Sequence, residues 1–449
     1  MRTTVRRTMV RRTTSHRADA RVTAVLAALA AAALLAGTTG TANAATGSPA
    51  PVTSSSGRGF VGTYAGTSAD FRMKAALTTR ATTARFGTAF SGAVIDAESN
   101  HLVWSKNGTT ALMPASTNKL VTASNALTVF GPTKRFTTRV VDGSATDRVV
   151  IEGSGDPSLS SAQLDAMAGT VSSVLAQRGL TVAPVRVYVD DDVFPTPSLA
   201  TGWKTSYVPD SITAVRGLVR DQRDSSDTSA DVGRYFRDRL KAYGITAAGY
   251  YGRTDAAPTA TVLASSQGAA LSTTVNRMLL VSDNEIAESL HKLVGVAKGT
   301  GSTWTGARSA QALVLGQQGL SAAALYDGSG LSRADRISAV QLAKVVDRGV
   351  DTSRPELWPL RSAEGMPTAG RTGTLSASSK RFVTTQSKCA AGRLWAKTGR
   401  LADVVALSGF TKGADGRVKV FAFVVNGKES TTTLKQNVDM LAATVTGCY

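Results

Sequence analysis

The chain has 449 residues, of which 42% are hydrophobic and 18% are charged, and its formal net charge is +19. This composition is typical of a folded globular protein and excludes a disordered or collagen-like chain. Two cysteines alone cannot build a zinc site. Of the three histidines, His16 lies in the N-terminal segment described next, so a histidine-based metal site or a Ser-His-Asp hydrolase would need His101 or His291, which fit surface or packing positions better.

Residues 1–44 have the pattern of an export signal. Seven arginines precede the apolar run 22–35, and the small-residue sequence Ala42-Asn43-Ala44 follows as a cleavage pattern. The apolar run is short for a transmembrane helix, although an uncleaved membrane anchor is the alternative interpretation. We therefore predict an exported protein, in which residues 45–58, rich in Ala, Thr, Ser, Gly and Pro, form a linker.

The rest of the chain is strongly basic. Because residues 1–44 hold seven arginines and one aspartate, the remaining residues carry +13. A basic surface favours either solubility outside the cell or attraction to an anionic cell-envelope polymer. Nucleic acid is not an expected partner, since the chain is predicted to be exported and has no compact cluster of basic and aromatic residues.

The first folded elements are predicted to be a helix over 67–84 and a hairpin with strands at 92–96 and 102–104. The stretch 114–123, PASTNKLVTA, then begins a helix, with Pro114 at its first position and apolar residues at helical spacing up to Gly131. Ser116 and Lys119 are three residues apart and share one face of this helix. A hydroxyl beside an amine fits a serine nucleophile with a lysine base, although Ser-x-x-Lys also arises by chance.

Residues 140–265 differ from the preceding residues in their pattern of short strands and turns, and they are predicted to form an inserted domain. Short strands at 148–151 and 185–189 alternate with turns, and helices are predicted around 161–178 and 231–243. The turn Gly153–Pro157 lacks the Lys-Ser/Thr ending of a phosphate-binding loop, which favours a structural turn. The run Asp190–Asp192 lacks the ligand spacing of a calcium loop, which favours a solvated turn over a cation site.

Two further motifs follow in the last third of the chain. Ser282–Asn284 has the sequence Ser-Asp-Asn and separates helices predicted over 271–281 and 286–294, the second closed by Gly295. Lys397–Gly399 has the sequence Lys-Thr-Gly and begins a predicted meander of strands at 394–397, 404–410 and 418–425. A final helix is predicted over 431–445.

The two cysteines, Cys389 and Cys448, are predicted to form one disulfide, because thiols of exported proteins are usually oxidised.

The three motifs, in this order and on these element types, form the set typical of class A β-lactamases and penicillin-binding proteins. The chain resembles the D-alanyl-D-alanine carboxypeptidase/endopeptidase family, the class C low-molecular-mass penicillin-binding proteins. Four other stretches carry the resemblance: Gly153–Pro157, Asp327–Ser332, Gly373–Leu375 and Ala406–Gly409. Arg400 departs from the family's pattern, which usually has a small hydroxyl residue after the Lys-Thr-Gly motif.

The resemblance implies an α+β fold: a β-lactamase/transpeptidase-like module, with an antiparallel sheet packed by helices and a helical lobe. Its discontinuous catalytic domain would cover 59–139 and 266–449, with the strand-containing domain 140–265 inserted. The implied substrates are peptidoglycan stem peptides that end in D-Ala-D-Ala, with β-lactams as covalent inhibitors. Carboxypeptidase action is implied, with endopeptidase action as a second use of the same site, and neither reaction requires a metal or a nucleotide.

The resemblance also implies a role for each residue. Ser116 attacks the D-Ala-D-Ala bond and forms an acyl-enzyme, and Lys119 is its base, kept uncharged in part by the charge of Lys397. Ser282 relays the proton to the leaving amine. The residues implied to bind substrate are Asn284 (amide backbone), Thr398 with Lys397 (terminal carboxylate), Gly399, and Arg400, whose backbone N–H joins that of Ser116 in the oxyanion hole.

Two other functions share some of these features. A β-lactamase-like hydrolase would have the same three motifs but would deacylate fast, and the large insert argues against it. A non-catalytic cell-wall-binding protein would be expected to lack one of Ser116, Lys119 or Lys397, and all three are present.

Overall fold

The computed structural model describes residues 65–320 and 323–449. The predicted signal at 1–44 and the linker at 45–58 lie outside the described residues. Within the described ranges, no helix combines the length and the apolar character needed to cross a membrane.

The described residues form ten α-helices: α1 Ser68–Arg80, α2 Thr83–Phe86, α3 Lys119–Phe130, α4 Ser161–Gln177, α5 Thr228–Ala242, α6 Leu271–Val281, α7 Asn284–Ala297, α8 Trp304–Gln317, α9 Ala339–Val350 and α10 Thr432–Val445. Short 3₁₀ helices cover Ala115–Asn118, Thr205–Tyr207, Pro355–Arg361, Gly373–Leu375, Ala377–Ser379 and Lys388–Ala390. The strands are β1 Phe90–Asp96, β2 His101–Lys106, β3 Ala111–Leu112, β4 Thr137–Asp142, β5 Arg148–Glu152, β6 Val185–Asp190, β7 Ala248–Arg253, β8 Val262–Gln267, β9 Ile337–Ser338, β10 Leu394–Leu401, β11 Val404–Lys412 and β12 Val418–Asn426.

The main sheet has five antiparallel strands in the order β10-β11-β12-β1-β2. Every residue of β1 and of β12 is buried, so both faces of the sheet centre are covered. Alternate side chains of a strand point to opposite faces. Accordingly Val420, Ala422 and Val424 pack with α9, whereas Phe421 and Phe423 pack with α1 and α10.

A helical lobe formed by α3, α6, α7 and α8 lies beside this sheet. Apolar residues of these helices, among them Leu127, Leu279 and Leu290, join one hydrophobic cluster with the α9 face of the sheet. Burying one such side chain contributes about 1.5–3 kcal/mol. The sheet with packed helices and the helical lobe confirm the predicted α+β class, and the shared cluster fixes α3 against the sheet.

A second five-stranded sheet, in the order β7-β6-β5-β4-β8, spans residues 137–267. Its strands β5, β6 and β7 are parallel, and β4 is antiparallel to β5 and β8. Parallel neighbours need a crossover connection, which α4 and α5 provide. These helices cover one face of the sheet with a hydrophobic cluster of their own. The bounds 140–265 of an inserted domain stay a prediction.

Three local predictions are wrong. Pro114 precedes the helical segment, which begins as a 3₁₀ turn at Ala115 and becomes α3 at Lys119. Gly295 lies inside α7, where a Cβ atom would meet the carbonyl oxygen of Gly301 at 2.3 Å, so close packing and not helix termination requires glycine. Asp191 is buried and forms ion pairs with Arg216 and Arg253, which replaces the predicted solvated turn.

Candidate active site

One cleft of about 730 Å³ contains side chains from all three motifs. Ser116 comes from the 3₁₀ turn before α3, Ser282 from the junction of α6 and α7, and Thr398 from β10. Lys119 and Lys397 lie behind the cleft surface, fully buried. Residues separated by up to 282 positions therefore meet because the 3₁₀ turn Ala115–Asn118 packs against β10 and α3 packs against α6 and α7.

The Ser116 hydroxyl lies beside a buried amine. Lys119 Nζ is 3.1 Å from Ser116 Oγ, and it also donates to Asn284 Oδ1 at 2.7 Å and to the carbonyl oxygen of Ser329 at 2.9 Å. Burial lowers the pKa of Lys119 to about 8, although carboxylates, foremost that of Glu288, act in the opposite direction. An amine with such a pKa is partly neutral near pH 7 to 8 and can accept a proton from the hydroxyl.

The second motif serine, Ser282, is hydrogen-bonded to the second buried lysine, Lys397. Lys397 Nζ donates to Ser282 Oγ at 2.8 Å and to the carbonyl oxygen of Thr398 at 2.9 Å. Burial lowers the pKa of Lys397 well below its usual value, and the positive charges of Lys119 and Arg381 lower it further. The cleft thus contains two hydroxyl–amine pairs whose amines both disfavour the charged form.

The backbone near both serines is strained or closely packed. Ala115 has φ = 47° and Ser282 has φ = 65°, left-handed values that cost a non-glycine residue about 1–2 kcal/mol each. Ser282 ends α6, and Asp283 caps α7 by accepting a hydrogen bond from the Ile286 backbone N–H at 3.0 Å. Such strain is typical of functional sites, where the surroundings hold a side chain in one position.

Glycine at position 399 allows β10 to approach the nucleophile turn. A Cβ atom there would lie 2.5 Å from the carbonyl oxygen of Pro114 and 3.2 Å from the backbone nitrogen of Thr117. Because β10 is an edge strand of its sheet, its backbone can also pair with an extended peptide in the cleft. Gly399 therefore allows the close approach of β10 to the nucleophile turn, and its role in substrate binding stays a prediction.

The other predicted binding residues line the same cleft. Asn284 Nδ2 donates to the carbonyl oxygen of Ser211 at 2.7 Å, which fixes the orientation of the amide. Thr398 Oγ1 donates to Thr374 Oγ1 at 2.8 Å. Arg400 Nε donates to Ser430 Oγ at 3.2 Å and keeps the guanidinium at the cleft wall.

The sequence analysis missed the buried carboxylates behind Lys119. Glu288 accepts hydrogen bonds from the backbone N–H groups of Gly328 and Ser329 at 2.8 and 2.7 Å. Asp327 accepts from the backbone N–H groups of Gly330 and Ser332 at 2.8 and 2.7 Å. Together they shape the loop whose Ser329 carbonyl binds Lys119. The available signal was the spacing of Glu288, four residues after Asn284 and so on the same side of α7.

The two remaining histidines are not among the residues that line the cleft. His101 is exposed at the start of β2. His291 is buried on α7, and burial lowers its pKa to about 4. Away from the cleft, Cys389 and Cys448 are joined by a disulfide with Cα atoms 6.3 Å apart, which ties the segment after α10 to the loop before β10.

Comparison with known proteins gives a single family. The model of the D-Ala-D-Ala carboxypeptidase 3 (S13) family matches residues 73–216 and 217–445. Carboxypeptidase DacB of Mycolicibacterium smegmatis is 31% identical over 378 residues, covering 80% of this chain and 80% of the relative. The D-alanyl-D-alanine carboxypeptidase of an Actinomadura species is 25% identical over 428 residues, covering 74% and 77%.

The crystal structure of penicillin binding protein 4 from Haemophilus influenzae has a similar fold. Its TM-score with this chain is 0.68 at 17% sequence identity, and the match covers 81% of this chain and 98% of that chain. At this identity the likeness concerns the fold, and it agrees with the predicted β-lactamase/transpeptidase-like module.

Proposed function

Because this chain belongs to the D-Ala-D-Ala carboxypeptidase 3 (S13) family and is a serine-type D-Ala-D-Ala carboxypeptidase, we propose that Ser116 is its nucleophile and Lys119 the base. The observation that carries the proposal is the 3.1 Å contact between Ser116 Oγ and a buried amine whose pKa is lowered. A nucleophile within hydrogen-bond reach of a base is the arrangement that serine acylation needs. β-Lactams are covalent inhibitors of such a site.

In the proposed acylation step, Ser116 Oγ attacks the carbonyl carbon between the two D-alanines. The Oγ–H proton passes to Lys119 Nζ as the new C–O bond forms, and the C–N bond then breaks. Ser282, held by Lys397 at 2.8 Å, relays a proton to the leaving amine, so that free D-Ala departs. The backbone N–H groups of Ser116 and Arg400 stabilise the oxyanion. Water then hydrolyses the ester and regenerates Ser116.

Thr398 and Lys397 are proposed to bind the terminal carboxylate of the substrate. The Thr398 hydroxyl faces the cleft beside the buried Lys397 amine, and hydrogen bonds to a charged group such as a carboxylate contribute about 1.5–3 kcal/mol. Amidating the substrate C-terminus should therefore lower kcat/KM by roughly tenfold or more. Equal kcat/KM values for the acid and the amide would contradict this assignment.

The decisive experiment is to locate the acyl group. After incubation with penicillin, the protein should gain the mass of one penicillin on the peptide that contains Ser116. The variant Ser116→Ala should lose both the label and peptidase activity, since Ser116 Oγ is the hydroxyl to which Lys119 Nζ is hydrogen-bonded in the described part of the chain. A matched control is Ser379→Ala, which removes a different cleft hydroxyl. Label on another serine, or wild-type turnover by Ser116→Ala, would refute the assignment.

The enzyme acts on peptidoglycan, which lies outside the cytoplasmic membrane, and we propose that residues 1–44 direct its export. The mature secreted protein should then begin near Ala45, which N-terminal sequencing can test.

We also propose that the +13 charge of the remaining chain attracts an anionic cell-envelope polymer. Retention on an immobilised polyphosphate column that does not weaken with salt would contradict this electrostatic attraction.

We propose that 140–265 folds as an inserted domain. Two observations support this proposal. Residues 137–267 contain a separate sheet, and a hydrophobic cluster is formed by side chains of that sheet, of α4 and α5, and of neighbouring residues. A fragment of residues 137–267 should unfold cooperatively in denaturant; a fragment without a cooperative transition would contradict the proposal.

A further inference from the structure

One wall of the cleft carries more positive charge than a D-Ala leaving group requires. Thr398 and Arg400 are two residues apart on β10, so their side chains lie on the same side of the strand. Lys435, in the second turn of α10, lines the cleft with them. Arg400 also bonds Ser430, which immediately precedes the α10 cap residue Thr431. The guanidinium and the ammonium therefore share the wall next to Thr398.

This arrangement is electrostatically unfavourable in the free enzyme. The N-terminal end of a helix is its positive end, and a lysine near it is repelled. Burial lowers the pKa of Lys435, and the charges of Arg400 and Arg381 lower it further. Like charges at one wall are tolerated where a bound anion offsets their repulsion.

Among the described residues, Asp439 partly opposes the lowering of the Lys435 pKa, but its carboxylate oxygens are bound by other groups. Asp439, one turn after Lys435, accepts from Arg381 Nε at 2.9 Å and from the Phe382 backbone N–H at 3.1 Å. Arg381 is thereby neutralised in a buried ion pair. Among the ion pairs of the described residues, neither Arg400 nor Lys435 has a carboxylate partner.

We propose that Arg400 and Lys435 form an anion subsite on the leaving-group side of the cleft, which binds a second carboxylate of the leaving group. The inference rests on the proposed function, in which Thr398 and Lys397 bind the first carboxylate. A D-Ala leaving group has one carboxylate only. A second stem peptide, released when a cross-link is cleaved, carries more than one. The subsite therefore favours endopeptidase cleavage, with an anionic peptide as leaving group.

The test uses two peptides that differ in a single charge. Both have the same acyl portion ending in D-Ala, followed by D-Glu in one and by D-Gln in the other. The wild-type enzyme should cleave the D-Glu peptide with a kcat/KM about tenfold higher, as expected for one charge-assisted contact. This preference should shrink as ionic strength rises, since the contact lies at an open cleft wall.

Two variants locate the preference. Lys435→Gln and Arg400→Gln should each bring the D-Glu/D-Gln ratio of kcat/KM towards one. Lys344→Gln, which removes an exposed lysine on α9, is the matched control for net charge and should keep the wild-type ratio. Stoichiometric penicillin labelling of each variant shows that its cleft is folded. Because the readout is a ratio on one protein sample, a partial loss of folded enzyme does not change it.

Three outcomes overturn the inference. A wild-type ratio near one shows that no second carboxylate is recognised, and an unchanged ratio in both variants shows that other residues recognise it. In both cases penicillin labelling of Ser116 still supports the proposed function. A wild-type protein that takes up no penicillin and cleaves neither peptide contradicts the proposed function itself, and the inference with it.

Discussion

The buried lysine Lys419 and the buried pair Lys119 and Lys397 lie in two regions of this molecule and show opposite electrostatic consequences. Lys419 on β12 contacts three carboxylates, those of Asp70, Asp96 and Asp415, at 2.7 to 2.8 Å. Burial opposes its charge, but the hydrogen bonds that Lys419 donates to these carboxylates outweigh burial and raise its pKa. Lys119 and Lys397 are equally buried, yet the ion pairs of the described residues do not include either of them, and both pKa values are lowered.

The difference comes from where the carboxylates direct their lone pairs. Around Lys419 they point at the ammonium group, which stays charged and joins β1, β12 and α1. Near Lys119, Glu288 is just as buried, but its oxygens accept from backbone N–H groups of the 328–329 loop. Lys119 instead donates hydrogen bonds to three uncharged groups: a hydroxyl, an amide oxygen and a backbone carbonyl. Burial therefore produces a structural cation in one region and a base in the other.

The largest expected effect follows from removing the base. Lys119→Met keeps the length of the side chain but cannot accept the Ser116 proton. Acylation by penicillin should slow by roughly 10²–10⁴-fold, the usual contribution of a positioned base. The free energy of unfolding should change little, because the lost hydrogen bonds are offset by the removal of a poorly solvated amine. Stopped-flow acylation and urea denaturation of the same preparations measure both quantities.

The control for this variant is Lys74→Met, which removes an exposed lysine on α1. It should match the wild type in both measurements. If Lys119→Met acylates at the wild-type rate, Lys119 is not the base. The two regions would then differ in lysine pKa but not in catalytic role.

The reverse result is expected for Lys419. In Lys419→Met, three buried or nearly buried carboxylates lose their common cation, while Asp96 keeps its ion pair with Arg417. Breaking a buried pair in this way costs about 3–5 kcal/mol. Folded protein should nevertheless acylate at close to the wild-type rate, because the ion pairs of Lys419, with Asp70, Asp96 and Asp415, include no residue of the three motifs. A rate loss as large as that of Lys119→Met, or an unchanged unfolding free energy, would contradict the assignment of a structural role.

The contrast also shows what the sequence could predict. The sequence predicts four catalytic residues, because short motifs on predictable helices and strands contain them: Ser116, Lys119, Ser282 and Lys397. The structure brings them together through the 3₁₀ turn before α3, the junction of α6 and α7, and β10. The carboxylates behind Lys119 and around Lys419 belong to no such motif. Glu288 and Asp327 act through backbone N–H groups, and Asp70 and Asp415 reach Lys419 only after the sheet has formed.

The second sheet illustrates the same limit. The sequence predicts β5, β6, α4 and α5 near their observed positions but not β4, β7 and β8. Parallel pairing of β5, β6 and β7 depends on how α4 and α5 cross over. Gly295 was misassigned because a glycine late in a helix matches a terminator, whereas close packing against the 301 backbone depends on tertiary structure. Local patterns thus predicted elements, and contacts between distant segments decided their arrangement.

The smallest expected effect is the pH dependence of stability. The folded-state pKa of Lys119 is lowered from 10.5 to about 8. Between these values the unfolded chain binds more protons than the folded one, so stability rises with pH. Lys119 should add about 1 kcal/mol to the unfolding free energy between pH 7 and pH 9. Lys419 has a raised pKa, so its contribution is complete below 10.5 and declines only above that pH.

Comparing the wild type with Lys119→Met at pH 7, 8 and 9 isolates this contribution. The unfolding free energy of the wild type should rise more steeply with pH, because the variant lacks the amine and also its repulsion of Lys397. Over the same range, the acylation rate of the wild type should increase and level off above about pH 8, as Lys119 loses its proton. Parallel stability curves together with a flat rate profile would show that Lys119 does not change protonation in this range.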